Sequence, residues 1–254
     1  MSDAIKNATL EYAIRLGDDS VVLGHRISEW VSYGPFLEED IAYGNVALDY
    51  IGRARMFYTY AAELADDGRT EDDFAYMRSD RDYHNLLLME MPRGDFAYSQ
   101  VRQLLADAYY TVLLPELVQS KDETLAAIAA KAIKETKYHL RRSRDWVLRL
   151  GDGTEESQKR TQKAVDQLWG YTHELLDMDE TEQLLADNGI GVDVSKLRDA
   201  WFKLVSEILT EATITVPEDS WAVRGGRTGY HTENLGHMLT EMQIVHRSYP
   251  GCEW

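Results

Sequence analysis

The sequence predicts an all-α protein, an antiparallel bundle of long helices joined by short loops. Apolar residues recur at three- and four-residue steps through several long stretches, and strand-like alternation is sustained nowhere. Ala, Leu, Glu, Asp and Arg dominate the composition, which favours helix. Only five prolines occur, and Pro35, Pro92, Pro217 and Pro250 fall where helices would end anyway. No shift of composition marks a boundary, so residues 1–254 read as one domain.

The first helical stretch, residues 3–33, carries the stripe Leu10, Ala13, Ile14, Val21, Leu23, Ile27, Trp30 and Val31. Gly17 and Gly24 are its weak points, and Gly34-Pro35 stops it. A second helix covers residues 37–66 and ends before Gly68. A third starts at Thr70 with acidic residues in its first turn and continues to Glu90, before the turn 91–94. Asp95 caps the fourth, in which Pro115 is a kink point.

The fifth, residues 121–150, has Leu125, Ile128, Ala129, Ala132, Ile133, Thr136 and Leu140 on one face, with Ser120 and Glu123 as a capping box and Gly151 as the stop. A sixth runs from about residue 155 to 177. Asp179 with Glu182 caps a brief helix to 187, and Ser195 caps another to about 213. Residues 215–230 form the one long irregular segment before a final helix.

Charge excludes some functions. With 44 acidic against 27 basic residues the net charge is −17, a field that repels phosphate backbones, so nucleic acid is not an expected partner. The one dense basic run, Arg141-Arg142-Ser143-Arg144, reads as a solvated helix face or a partner contact. Cys252 is the only cysteine, so neither an internal disulfide nor a cysteine zinc site can be built. No stretch approaches the roughly 20 apolar residues that span a bilayer, and the N-terminus lacks a signal-like apolar segment, so a cytoplasmic protein is expected. Phosphate-cradling GxxxxGK[ST], GxGxxG and a GxSxG elbow are all missing.

Glu135 and His139 raise a metal question. They stand four apart on the fifth helix, on the side that also holds Ile128 and Ala132, and so point inward. Di-iron bundles need Glu-x-x-His on each of two helices, because that spacing sets carboxylate and imidazole side by side on one iron. The residues three before His25, His84, His139, His173, His231, His237 and His246 are Val22, Arg81, Thr136, Gly170, Thr228, Asn234 and Gln243. The required motif is missing, so no metal site and no catalytic residue is expected. Asp49, Asp107, Glu135, His139 and Glu211 are instead assigned to a hydrogen-bonded polar core, the remains of a metal site.

Long segments in order resemble a known family. They are YAIRLGDDSVVLGHRISEW, LEEDIAYGNVALDYIGRAR, RDYHNLLLMEMPRGDFA, AKAIKETKYHLRRSRDWVLRLGDG, LWGYTHELLD, EATITVPED and HTENLGHMLTEMQIVHRSYPG, with a terminal Trp254. Across essentially its whole length the chain is similar to the C-subunit (PaaC-type) family of the bacterial multicomponent phenylacetyl-CoA 1,2-epoxidase. The resemblance implies a ferritin-like bundle with additional C-terminal helices and a place in aerobic phenylacetate degradation. It implies a non-catalytic structural subunit, without a cofactor of its own, packed against the related catalytic A-type protein that holds the di-iron site. Two A–C pairs would form a heterotetramer, completed by a small B-type protein and a flavin/iron-sulfur reductase E. The alternative is a stand-alone di-iron carboxylate monooxygenase with unusual ligands such as Glu135 and His139. The loop from Ser220 to Tyr230, with Trp221, Arg224 and Arg227, is the expected partner interface.

Overall fold

The computed structural model describes residues 2–218 and 221–252. Among the described residues it contains ten α-helices, several 3₁₀ turns and no strand. The fold is all-α, in keeping with a ferritin-like helical bundle with extra helices. The contacts divide the chain into two compact units, one of residues 1–92 with 225–254 and one of residues 93–224. Composition along the chain shows no such division, because the first unit is completed only by the C-terminal segment.

The first unit is built on the hairpin of α1 (Asp3–Ser28) and α2 (Leu37–Ala65). Ser2 caps α1 by accepting from the Ile5 amide. Gly17, expected to weaken α1, instead lets α2 approach, since a Cβ there would overlap the Tyr58 ring. Residues 70–90 do not form the single helix expected of them. They break into α3 (Glu71–Tyr76), a 3₁₀ turn at Asp80–Asp82, and α4 (Leu87–Glu90). The capping boxes Thr70–Asp73 and Ser79–Asp82 each start a fresh helix, so one periodic stretch is cut by its own polar side chains. Residues 233–248 form the C-terminal helix of this unit, which packs on α3 and α1.

The second unit pairs α5 (Phe96–Leu117) with α6 (Glu123–Gly151) and covers them with α7 (Glu155–Leu168). Pro115 lies inside α5 but only two residues from its end, where its missing amide costs little regular structure. Asp122, not Ser120, caps α6, accepting from the Leu125 amide. Gly151 is still helical and serves packing: a Cβ would overlap the Ala212 carbonyl oxygen, and the Thr213 hydroxyl donates to the Gly151 carbonyl at 3.0 Å. Gly151→Ala is expected to cost roughly 1–3 kcal/mol by overpacking, read as a lower urea midpoint. An unchanged midpoint would mean that the contact is slack.

The expected sixth helix ends at Leu168 and gives way to 3₁₀ turns at Trp169–Tyr171 and His173–Leu176. Helices α8 (Glu180–Asp187) and α9 (Arg198–Glu211) complete the unit, and the C-terminal helix Glu233–Ser248 becomes α10. Asp179 caps α8 as expected, accepting from the Glu182 amide at 2.9 Å. No described helix is long and apolar enough to cross a membrane.

Candidate functional site

Burial of charge, which is costly unless matched, identifies the polar sites of both units. In the second unit Asp107 of α5 is fully buried. Its Oδ1 accepts from Gln103 Nε2 at 2.7 Å, and its Oδ2 accepts from the Ser143 hydroxyl of α6 at 2.8 Å. His139 is also buried on α6, one turn before Ser143, while Glu135 is half-buried. Asp107, Glu135 and His139 therefore share this unit. Asp49 is half-buried on α2 and belongs to the other.

Glu211 departs from its expected place in the core. Its side chain is 56% exposed and pairs with Arg144 at 2.7 Å. The buried face of α9 is Trp201, Val205, Ile208 and Leu209, and Glu211 lies off it. Among the described residues no three His, Cys, Asp or Glu side chains converge as a metal site.

The larger network lies in the first unit, and sequence reasoning missed it. Asp18 and Asp19, adjacent on α1, are both fully buried. Asp18 accepts from the Tyr58 hydroxyl at 2.6 Å and from the His84 amide at 2.8 Å, and it pairs with Arg78. Burial and the negative charge of Asp18 push the Tyr58 hydroxyl well above the usual phenol range. Asp19 accepts from the Leu86 amide at 2.7 Å and takes both terminal nitrogens of Arg227, at 3.1 and 2.9 Å. Burial raises the Asp19 carboxyl above the usual carboxylate range, against the opposing pull of Arg227. Arg227 also donates to the His84 carbonyl at 2.7 Å, and His84 Nδ1 donates back to the Arg227 carbonyl at 3.2 Å.

A second knot lies four residues on. Glu90 is fully buried and accepts from the Thr232 amide at 2.7 Å and from Asn85 Nδ2 at 2.9 Å. His231 places Nδ1 2.7 Å from Glu90 Oε2 and Nε2 2.8 Å from the Tyr83 carbonyl. A carbonyl only accepts, so Nε2 carries a proton, and a second proton lies between Nδ1 and Glu90. Burial lowers the basicity of His231, but the hydrogen bond and charge of Glu90, then the Tyr83 carbonyl and Asp18, outweigh it and raise it above the ordinary histidine value. Arg26 of α1 completes the clasp, donating to the Glu90 carbonyl at 3.0 Å and to the Asn234 carbonyl at 2.6 Å. The signal in the sequence was two consecutive acids within the apolar middle of α1, LGDDSVVLG, which burial obliges to find partners.

The expected interface loop divides at the boundary between the units, and Ser220 at its start lies outside the described residues. Trp221 is 41% exposed, lies against Gly170 and meets the Tyr171 ring edge-on at 5.6 Å. The Val223 amide donates to the Gly170 carbonyl at 3.0 Å, and Arg224 pairs with Asp177 at 2.5 Å. Trp221 and Arg224 thus belong to a strap on the second unit. Arg227 is corrected more sharply, since its guanidinium faces inward onto Asp19 and is only 11% exposed.

The sequence of the whole chain, residues 1–254, matches the family described as phenylacetic acid catabolic protein. The chain belongs to that family. Among curated relatives it is 47% identical over 248 residues to the C subunit of the 1,2-phenylacetyl-CoA epoxidase of Escherichia coli (strain K12), covering 98% of this chain and 100% of the relative. In this member of the phenylacetic acid catabolic family, three of the segments that carry the resemblance, residues 12–30, 81–97 and 231–251, supply most of the first unit's buried network. They form one structural feature: α1 supplies Asp18 and Asp19, the segment after α3 supplies Glu90 with the His84 and Leu86 amides, and the segment before α10 supplies His231 and the Thr232 amide.

Proposed function

We propose that this chain is the C subunit of a phenylacetyl-CoA 1,2-epoxidase, a non-catalytic partner that packs against and supports the di-iron catalytic A protein in the cytoplasm. The observation that carries the reading is the 47% identity to a relative named as the epoxidase's C subunit, which extends over all of that relative. In this reading the chain holds no cofactor. Two A–C pairs assemble, and the small B protein and reductase E complete the system. The buried carboxylate of Asp107, held by Gln103 and Ser143, supports a structural core in place of an iron centre. A well-packed helical core is what a supporting subunit needs in order to hold a neighbour's ligand-bearing helices in register.

The test is to purify the chain alone and together with the catalytic A protein, and to measure iron per chain, complex formation and turnover of phenylacetyl-CoA. Background iron and no turnover are expected for the chain alone, with a stable complex when the two are co-expressed. Stoichiometric iron in the isolated chain would overturn the reading.

A further inference from the structure

One strongly charged feature takes no part in any site described above. On α6 the side chains of Lys131, Lys134, Lys137 and Arg141 are all exposed. Their spacing of three, three and four keeps them on one helix face, over about 15 Å at the α-helical rise. Tyr138 lies among them, 40% exposed, with the Arg141 guanidinium 5.6 Å from its ring centre. None of the four cations forms an ion pair among the described residues. In the same unit Arg144 pairs with Glu211, Arg160 with Glu156 and Arg224 with Asp177, whereas Lys159 and Lys163 are exposed and, like the row, form no ion pair among the described residues. What sets the row apart is that four such cations follow one another on a single helix in a chain of 44 acidic and 27 basic residues.

Four like charges at these spacings repel one another along the helix. An anionic partner removes that repulsion, and the geometry narrows which kind. The row is extended along the outer face of the helix, and three of its four members are flexible lysines. That arrangement lacks the convergent, preorganised donors that hold a single phosphate or carboxylate. It matches instead an extended acidic surface. Nucleic acid is disfavoured by the net charge of −17. The same net charge would repel an acidic protein at long range, so such a partner can approach only where a local positive face lies within a screening length.

We infer that the Lys131–Arg141 face of α6 is the docking surface for an acidic face of a partner protein. The inference rests on the proposed function, since it supposes that this chain works within a complex. It adds the surface and the charge of the partner.

The test uses the full chain carrying Lys131→Glu, Lys134→Glu and Arg141→Glu together. The protein probes are the epoxidase's A protein, B protein and reductase E from the same organism, each alone, and coenzyme A serves as a small anionic probe. For at least one protein probe, the association rate at low ionic strength is expected to fall about 10-fold or more in the variant, and its dependence on salt to weaken. Should the triple reversal disturb folding, the glutamine variant at the same three positions lowers the rate in the same direction by a smaller factor. Wild-type and variant chains that bind all three proteins equally well would overturn the inference and leave the proposed function standing. Loss of coenzyme A binding with protein binding unchanged would likewise overturn it, in favour of a small-anion site. A wild-type chain that binds none of the proteins would remove both readings.

Discussion

Arg227→Met is expected to lower the free energy of unfolding by about 3–5 kcal/mol, because it strands the Asp19 carboxylate in a site with no access to water. The arginine makes two charge-assisted bonds to that carboxylate and a third to the His84 carbonyl, so its removal breaks three bonds at once and leaves Asp19 the Leu86 amide. The measurement is the urea midpoint and slope of the variant against the parent. Asp19→Asn combined with Arg227→Met should recover part of the loss, since a neutral amide does not carry the desolvation cost of an unpaired charge. The pH dependence has a definite sign. Burial already raises the Asp19 carboxyl, and removing Arg227 raises it further. A carboxyl raised in the folded state binds its proton more readily there than in the unfolded chain. Its contribution is present below the unfolded value and is lost as pH rises through the folded one. The single variant should therefore be least compromised at acid pH and most compromised at neutral pH. A loss under 1 kcal/mol at pH 7 would show that the pair is dispensable.

Glu90→Ala is expected to have a comparable effect, roughly 3–5 kcal/mol at pH 6, because it removes the acceptor for the His231 ring, the Thr232 amide and Asn85 together. His231 supplies the sign of the pH dependence. Its folded-state basicity is raised, chiefly by Glu90 against the effect of burial. The stability it contributes is fully present below the unfolded histidine value of about 6.5 and is lost as pH rises through the raised folded value. His25 and His84 are shifted downward by burial and act in the opposite direction, losing their contribution as pH falls. The contribution of His231 is isolated by the difference between the parent and His231→Gln, followed by urea unfolding from pH 5 to 9. That difference should shrink towards alkaline pH. A difference that is flat with pH would show that the ring is not protonated in the folded protein.

Both predictions involve partners around residues 227–232, where reading along the chain assigned residues 220–230 to an irregular loop available to a partner, followed by a helix. Trp221 is partly exposed, and its strap is irregular. Arg227 shows why exposure could not be read from type alone. An arginine in a glycine-rich loop has the same appearance whether it faces solvent or reaches a buried acid more than 200 residues earlier in the sequence. The helix boundaries show the same division. Caps made by neighbouring side chains, such as Asp95 for α5 and Asp179 for α8, were legible because the donor and acceptor lie three residues apart. The break of residues 70–90 into three short elements was missed because their apolar period matched one helix, although the Ser79–Asp82 capping box that starts the second element is as local as those caps.

The sequence by itself determined the all-α class, the positions of the long helices and the family, since these rest on local periodicity, composition and extended similarity. It also placed Asp107 and His139 on inward helix faces, because the period of an α-helix assigns faces without knowledge of the partner. The tertiary structure decided which charges were matched. It paired Asp18 with Arg78 and Tyr58, Asp19 with Arg227, and Glu90 with His231, and it sent Glu211 to the surface beside Arg144. The physical reason is that the cost of burying a charge depends on what stands within hydrogen-bonding distance in space. Distance along the chain carries no such information.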